Sequence, residues 1–324
     1  MADLRPRDER GQILLIAAFT LAVIFVALAL VVNSAIFTEN LASQGEVAGS
    51  SEALTYQHQV RQGVAEAMAY ANRYRYSNPT SSVQASVDAL SEQGAHQQAT
   101  GGQLVHVGYE GSRSGWRIAD NTSGGSTFEN ESVPVSDQNW QLAESVDRTR
   151  DLEITITDES VLSGTKASAF TLEANESTSE IWELRLWSTG GEVVVDVETA
   201  SGRSGECRVP TGSPVEIDVT RGLVDGQRCH ALTRNGTGGD RMWWGTGVSS
   251  PYDIWIKNGD QIRGNYSMIL RGGSHTGDGL VDGPDSGDDP FRTDAMYSAT
   301  VEYLFRTSQV TYETEIEVAP GETP

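Results

Sequence analysis

Ile181–Ser188 reads IWELRLWS, and its alternation decides the fold class of most of the chain. Trp182, Leu184 and Leu186 fall on one side of an extended backbone, and Glu183, Arg185 and Trp187 on the other. That is the period of two expected of a half-buried strand. The same period recurs downstream. Val193, Val195 and Val197 alternate with Val194, Asp196 and Glu198; Val215, Ile217 and Val219 with Glu216, Asp218 and Thr220; Tyr252, Ile254 and Ile256 with Asp253, Trp255 and Lys257. Leu152–Thr157, Phe170–Ala174, Tyr266–Arg271, Val301–Arg306 and Val310–Val318 complete the set. Many short strands joined by Gly-rich turns predict a mainly antiparallel, jelly-roll-like β-sandwich over residues 151–324.

Upstream the period changes. Residues 34–102 read as a helical stalk or hairpin: Leu54, Val64, Met68 and Ala71 lie close to one face, and Asn78-Pro79 stops that helix. Ser81 or Ser82 can cap a second helix, with Val83, Val87 and Leu90 at i, i+4 and i+7. Residues 103–150 read as a small β hairpin, Leu104–Tyr109 with Trp116–Ile118 returning, followed by a Ser/Gly-rich linker from Asn121.

Further upstream, Ile13–Val32 is about twenty residues without charge, Gly or Pro. At about 1.5 Å per residue such a helix is roughly 30 Å long, the thickness of a bilayer's hydrocarbon core. Residues 12–33 are therefore expected to form a transmembrane helix, with membrane lipid as its first partner. Arg5, Arg7 and Arg10 precede it, and Asn33 to Gln44 carries no Lys or Arg. The positive-inside rule then keeps the leader, residues 1–11, in the cytoplasm and sends the rest outside as a single-pass protein. The fold class expected for the whole chain is α+β.

Arg10-Gly11-Gln12, a short charged leader running into an apolar helix, resembles the class III signal of archaeal type IV pilins and pilin-like proteins. The resemblance covers residues 5 to about 45. It implies cleavage by a prepilin peptidase between Gly11 and Gln12, and association with other pilin-like subunits. Bacterial-type pilins place Glu on the fifth residue after the cut, where this chain has Ile16. The alternative is an uncleaved anchor.

The formal net charge is −22, and the lysines are Lys166 and Lys257. Such a balance resembles the proteins of extreme halophiles, haloarchaea especially, and it argues against a nucleic-acid partner, which needs basic patches. Five Asn-x-Ser/Thr triplets, at Asn121, Asn130, Asn175, Asn235 and Asn265, suit a glycosylated surface protein. Cys207 and Cys229 are expected to form one disulfide outside the cell, the alternative being two buried thiols.

Asp278, Asp282, Asp285, Asp288 and Asp289 sit in a Gly/Pro-rich loop that offers Ca²⁺ several hard oxygen ligands, or is simply a solvated turn. Trp187 and Trp255 fall on the polar sides of their strands, where indoles can bind surface glycans or a partner protein unless another layer covers them. Trp243-Trp244 between glycines is a further candidate of the same kind. The sequence holds no G-x-S-x-G elbow, H-E-x-x-H pair or phosphate-binding glycine loop, and the expectation is that the chain is no enzyme and takes no cofactor beyond that Ca²⁺. The function expected is that of a membrane-anchored, pilin-like structural or adhesive protein displaying a β-rich head. The alternative is a monomeric anchored carbohydrate- or protein-binding module.

Overall fold

A computed structural model describes residues 51–130, 137–212, 214–233, 242–274, 280–284 and 290–322. Two helices come first, α1 (residues 51–74) and α2 (Pro79–Ala99). Asn78-Pro79 ends the first and opens the second. The Asn78 side chain caps α2 by accepting from the Ser81 amide at 3.4 Å, and Pro79 takes the first turn, where its missing N–H costs nothing. The helix thus starts ahead of the expected cap at Ser81 or Ser82.

α1 buries Ala53, Tyr56, Val60, Val64, Met68 and Ala71, a stripe spaced by three and four residues. Leu54, expected on this face, lies about 100° round the helix and is 51% exposed. A side chain at Gly94 of α2 would strike the Tyr56 hydroxyl, and one at Gly63 would meet Leu90. Tyr56 beside Gly94 and Gly63 beside Leu90 make the two helices antiparallel.

The helices lie on a sheet. Their buried stripes share one apolar cluster with Val105 and Val107 of β1 (Leu104–Asp120), Val301, Tyr303 and Phe305 of β14 (Phe291–Arg306), and Ile316 and Val318 of β15 (Thr311–Val318). Tyr303 donates to the Ala53 carbonyl at 2.9 Å. Asn72 of α1, 2% exposed, reads the β14 backbone in both directions, donating to the Met296 carbonyl at 3.0 Å and accepting from its amide at 2.8 Å.

The described strands belong to a single hydrogen-bonded sheet, whose other members in chain order are β2 (Ser126–Thr127), β3 (Trp140–Ile156), β4 (Phe170–Ser177), β5 (Glu180–Thr189), β6 (Glu192–Thr199), β7 (Ser204–Pro210), β8 (Val215–Asp218), β9 (Leu223–Val224), β10 (Gln227–Arg228), β11 (Tyr252–Lys257), β12 (Arg263–Ser274) and β13 (Val281–Asp282). The main path of the sheet runs β13-β14-β1-β12-β3-β11-β4-β5-β6-β7. Its neighbours pair antiparallel except β13 with β14. The main core lies away from the helices, toward the other end of β1, where Ile118 belongs to it. It joins Tyr266, Met268 and Leu270 of β12 to Trp182, Leu184 and Leu186 of β5 and Val193, Val195 and Val197 of β6. Strands so far apart along the path meet in one cluster because the sheet curls over itself. The inward residues are those that the period of two selected, and the alternating positions of β11 and of β8 (Val215–Asp218) agree with it as well.

Three expectations are corrected. First, among the described residues no helix is long and apolar enough to cross a membrane. The described helices are amphipathic and bury one stripe against strands, so the single-pass, membrane-anchored, outward-facing arrangement is not upheld. Ile13–Val32, with the leader and the Gly11-Gln12 cleavage point, lies outside the described residues.

Second, the α+β architecture of transmembrane helix, projecting stalk and separate jelly-roll sandwich gives way to a mostly β fold with the helical pair seated on its sheet. Alternation reports which side of a strand is buried and carries no information on how strands connect, so two stacked sheets and one curled sheet look alike in sequence. Third, Leu104–Tyr109 and Trp116–Ile118 are not the two arms of a hairpin. Both belong to β1, whose partner from Leu104 to Ala119 is β14, far along the chain. The strands of this stretch, Leu104–Asp120 and the one that begins at Trp140, are therefore woven into the sheet formed by the C-terminal half.

Candidate functional site

Several arginines of this acidic chain gather on the side of β1, β12 and β3 that faces away from the main core. Leu270 of β12 and Thr149 of β3 are register partners, and both are buried. The adjacent pair is Arg271 opposite Arg148, followed by Ile269 opposite Arg150. Like charges directly opposite across antiparallel strands repel. A chain of net charge −22 thus sets two arginines, Arg148 and Arg271, directly opposite one another.

Beside this pair β14 carries a bulge. Arg113 of β1 faces Ser298 and Ser114 faces Met296, which leaves Tyr297 as the extra residue. Asn72 holds the Met296 peptide from the helix side. Arg150 holds the bulge from the other side, its Nε donating to the Tyr297 carbonyl at 2.7 Å and its Nη2 to the Met296 carbonyl at 2.8 Å. Arg150 is 1% exposed, and burial lowers its pKa to about 10. The Tyr297 ring is buried, with the Arg150 guanidinium 5.6 Å from its centroid and that of Arg271 at 5.5 Å. Burial and the neighbouring Glu322 carboxylate raise the Tyr297 pKa.

Around the bulge opens a groove of about 470 Å³ lined by Arg61 of α1, Arg113, Arg148, Arg271, Glu317 and Glu322. Its guanidinium groups have carboxylate oxygens near but not close: Arg113 to Glu317 at 3.7 Å, Arg148 to Glu322 at 3.7 Å, Arg271 to Asp147 at 4.0 Å. Direct charge-assisted bonds run at about 2.7–2.9 Å. Arg113 and Arg148 keep more than half of their side-chain surface in solvent. Arg61 donates to the Glu317 carbonyl at 3.0 Å. Past Arg148 and Arg271 the groove continues into a recess of about 350 Å³ walled by Thr149, Trp244, Val248 and Tyr252. There Trp244 Nε1 donates to the Tyr252 hydroxyl at 3.1 Å, which in turn donates to Thr149 Oγ1 at 2.8 Å. Guanidinium groups above an ordered aromatic wall can hold anionic groups in fixed orientation. Among the described residues no group of carboxylates, imidazoles and thiols is arranged to hold a metal ion.

The residues selected from sequence lie elsewhere. Trp187 and Trp255 do face away from the core. However, Trp187 is 6% exposed, covered in a small cluster with Ala169 and Val194, and Trp255 is half-buried. The surrounding outer side is a ladder of charges. Glu173, Glu183 and Glu198 stand in register across β4, β5 and β6, bound by Lys257, Arg185 and Lys166. The chain's two lysines are thus both committed to neighbouring carboxylates.

Of the acidic loop, Asp278, Asp285, Asp288 and Asp289 lie outside the described residues, and Asp282 accepts from Arg292 Nε at 2.5 Å. Cys207 and Cys229 form the disulfide, with Cα atoms 5.9 Å apart, tying β7 to the start of the short helix α3 (His230–Thr233). Asn121 is exposed, Asn175 and Asn265 are half-buried in β4 and β12, Asn130 is 8% exposed, and Asn235 lies outside the described residues. Burial of Asn130 leaves its amide poorly placed to carry a glycan.

The arginine groove escaped the sequence reading because its members come from α1, β1, β3 and β12. The available signal was Arg148-Thr149-Arg150, two arginines on one side of a strand in an acidic chain. A family model described as a family of unknown function (DUF7261) matches residues 7–130, a span that holds α1, α2 and β1 and so supplies Arg61 and Arg113 but not Arg148 or Arg271. No curated protein and no solved structure matches the chain.

Proposed function

We propose that this chain is a non-catalytic recognition module, adhesive or structural in role, whose arginine groove binds an anionic ligand. The observation that carries this reading is the Arg148–Arg271 pair, two like charges in register on an acidic protein, joined by Arg61 and Arg113 around one open groove. Guanidinium groups with unfilled donor capacity match carboxylate or sulfate groups, to which they bond in pairs. Nothing in the groove supplies a nucleophile activated by a neighbouring base, so binding is the chemistry it supports.

The test is calorimetric titration of an oligoglutamate peptide and of an oligogalacturonate into the wild-type protein, Arg148→Gln and Arg271→Gln. Each substitution removes charge-assisted bonds worth roughly 1.5–3 kcal/mol, so affinity is expected to fall about ten- to a hundredfold. The loss should shrink as salt rises, since screening weakens exposed pairs. Failure of both probes to bind, or equal binding by all three proteins, overturns the reading.

A further inference from the structure

Of the two carboxylates that line the groove, Glu317 and Glu322, the second is brought there by a strap of the chain itself. Ala319–Glu322 crosses the arginine side of the sheet after β15. Arg150 Nη1 donates to the Pro320 carbonyl at 2.9 Å, the Asp151 amide donates to the Gly321 carbonyl at 3.1 Å, and Arg150 and Glu322 form an isolated antiparallel bridge. The turn closes with the Glu322 amide donating to the Ala319 carbonyl at 3.3 Å. Gly321 has φ +69°, and a Cβ there would meet Asp151, so glycine lets the strap lie this close. These contacts deliver the Glu322 carboxylate to the middle of the site. Its Oε1 accepts from the Tyr297 hydroxyl at 3.0 Å and stands 3.7 Å from Arg148.

We infer that Glu322 is a built-in stand-in for the ligand, and that the groove's partner is an acidic polypeptide segment whose carboxylate takes its place. This rests on the groove reading above and names its partner. Two observations single out a polypeptide over an acidic sugar. The present occupant is a glutamate presented by a tight turn of polypeptide backbone. Also, Arg150 and the Asp151 amide engage backbone carbonyls of the strap, contacts that an incoming peptide can repeat and a pyranose chain cannot. The strap carboxylate is held by one hydroxyl and one long ion pair, so it is an occupant that a better-placed carboxylate displaces. An internal competitor lowers apparent affinity by the fraction of molecules in which it sits in the site.

The experiment compares Glu322→Ala with Glu317→Ala. Both delete one negative charge from the same groove, but only Glu322 touches Tyr297. Oligoglutamate is titrated into wild type and both variants at one ionic strength, with oligogalacturonate in parallel and melting curves confirming the fold. A stand-in predicts about fivefold or greater tightening of oligoglutamate by Glu322→Ala and at most about twofold by Glu317→Ala. Should Glu322→Ala fold poorly, Glu322→Gln, which removes the charge while keeping an acceptor for Tyr297, is held to the same comparison. Equal tightening by the two variants means a general charge effect and overturns the stand-in. Binding of oligogalacturonate without oligoglutamate overturns the peptide partner while leaving the anion groove standing. Binding of neither by any variant removes both.

Discussion

Replacing Arg150 by Met tests the part of the structure on which the groove is built. The guanidinium is buried and makes three bonds to backbone carbonyls, those of Met296, Tyr297 and Pro320, at 2.7–2.9 Å. Bonds from a charged donor are worth roughly 1.5–3 kcal/mol each. Against this stands the cost of burying the charge. A pKa lowered from 12.5 to about 10 corresponds, at about 1.36 kcal/mol per unit, to a penalty on the order of 3 kcal/mol. Met fills much of the volume but leaves the Tyr297 and Pro320 carbonyls without this donor. The Met296 carbonyl keeps its bond from Asn72.

The balance favours the native residue, and Arg150→Met is expected to destabilise the fold by about 3 kcal/mol. Urea unfolding followed by tryptophan fluorescence, with the slope unchanged between the two proteins, measures it. Arg150→Lys should recover less than half of the loss, because an ammonium cannot span three carbonyls held in a fork. A loss below about 1 kcal/mol for Arg150→Met would show that the carbonyls find water instead, and would refute the account of the bulge as pinned from beneath.

Two further outcomes follow from local geometry. Gly94→Ala forces a methyl into the Tyr56 hydroxyl and should cost about 1–3 kcal/mol; Tyr56→Phe in the same chain should restore part of it, and purely additive effects would contradict the contact. Glu153 and Asp218 are register partners on β3 and β8, and burial first, then neighbouring carboxylates, raises both pKa values. The folded protein therefore holds protons there that the unfolded chain has already released, so stability falls as pH rises from the ordinary carboxylate range through the raised values. Glu153→Gln should lose less melting temperature than wild type between about pH 4 and about pH 7, and an equal loss in both would count against repulsion between the Glu153 and Asp218 carboxylates.

How much of this could be read without coordinates differs by feature. Trp182, Leu184 and Leu186, or Tyr252, Ile254 and Ile256, reveal their buried side through a period set by the backbone, so the inward residues of β5, β6, β8 and β11 were readable one strand at a time. The helical pair was also readable, except that the Leu54 position had to yield to the stripe through Ala53. The pairing Cys207–Cys229 followed from there being two cysteines.

What local pattern could not contain is everything that depends on long-range pairing. That β1 belongs to β14, that the helices lie on the sheet, that one sheet curls where a jelly-roll sandwich was expected, and that Trp187 is covered by Ala169 all depend on residues distant in sequence meeting in space. The groove is the extreme case, since Arg61, Arg113, Arg148 and Arg271 share no spacing and converge through strand register and one bulge. Sequence alone determined which residues seek burial, because that is a property of each side chain and its nearest neighbours. Only the tertiary structure decided which charges face one another, because that is set by hydrogen-bonded register between strands that the chain order keeps apart.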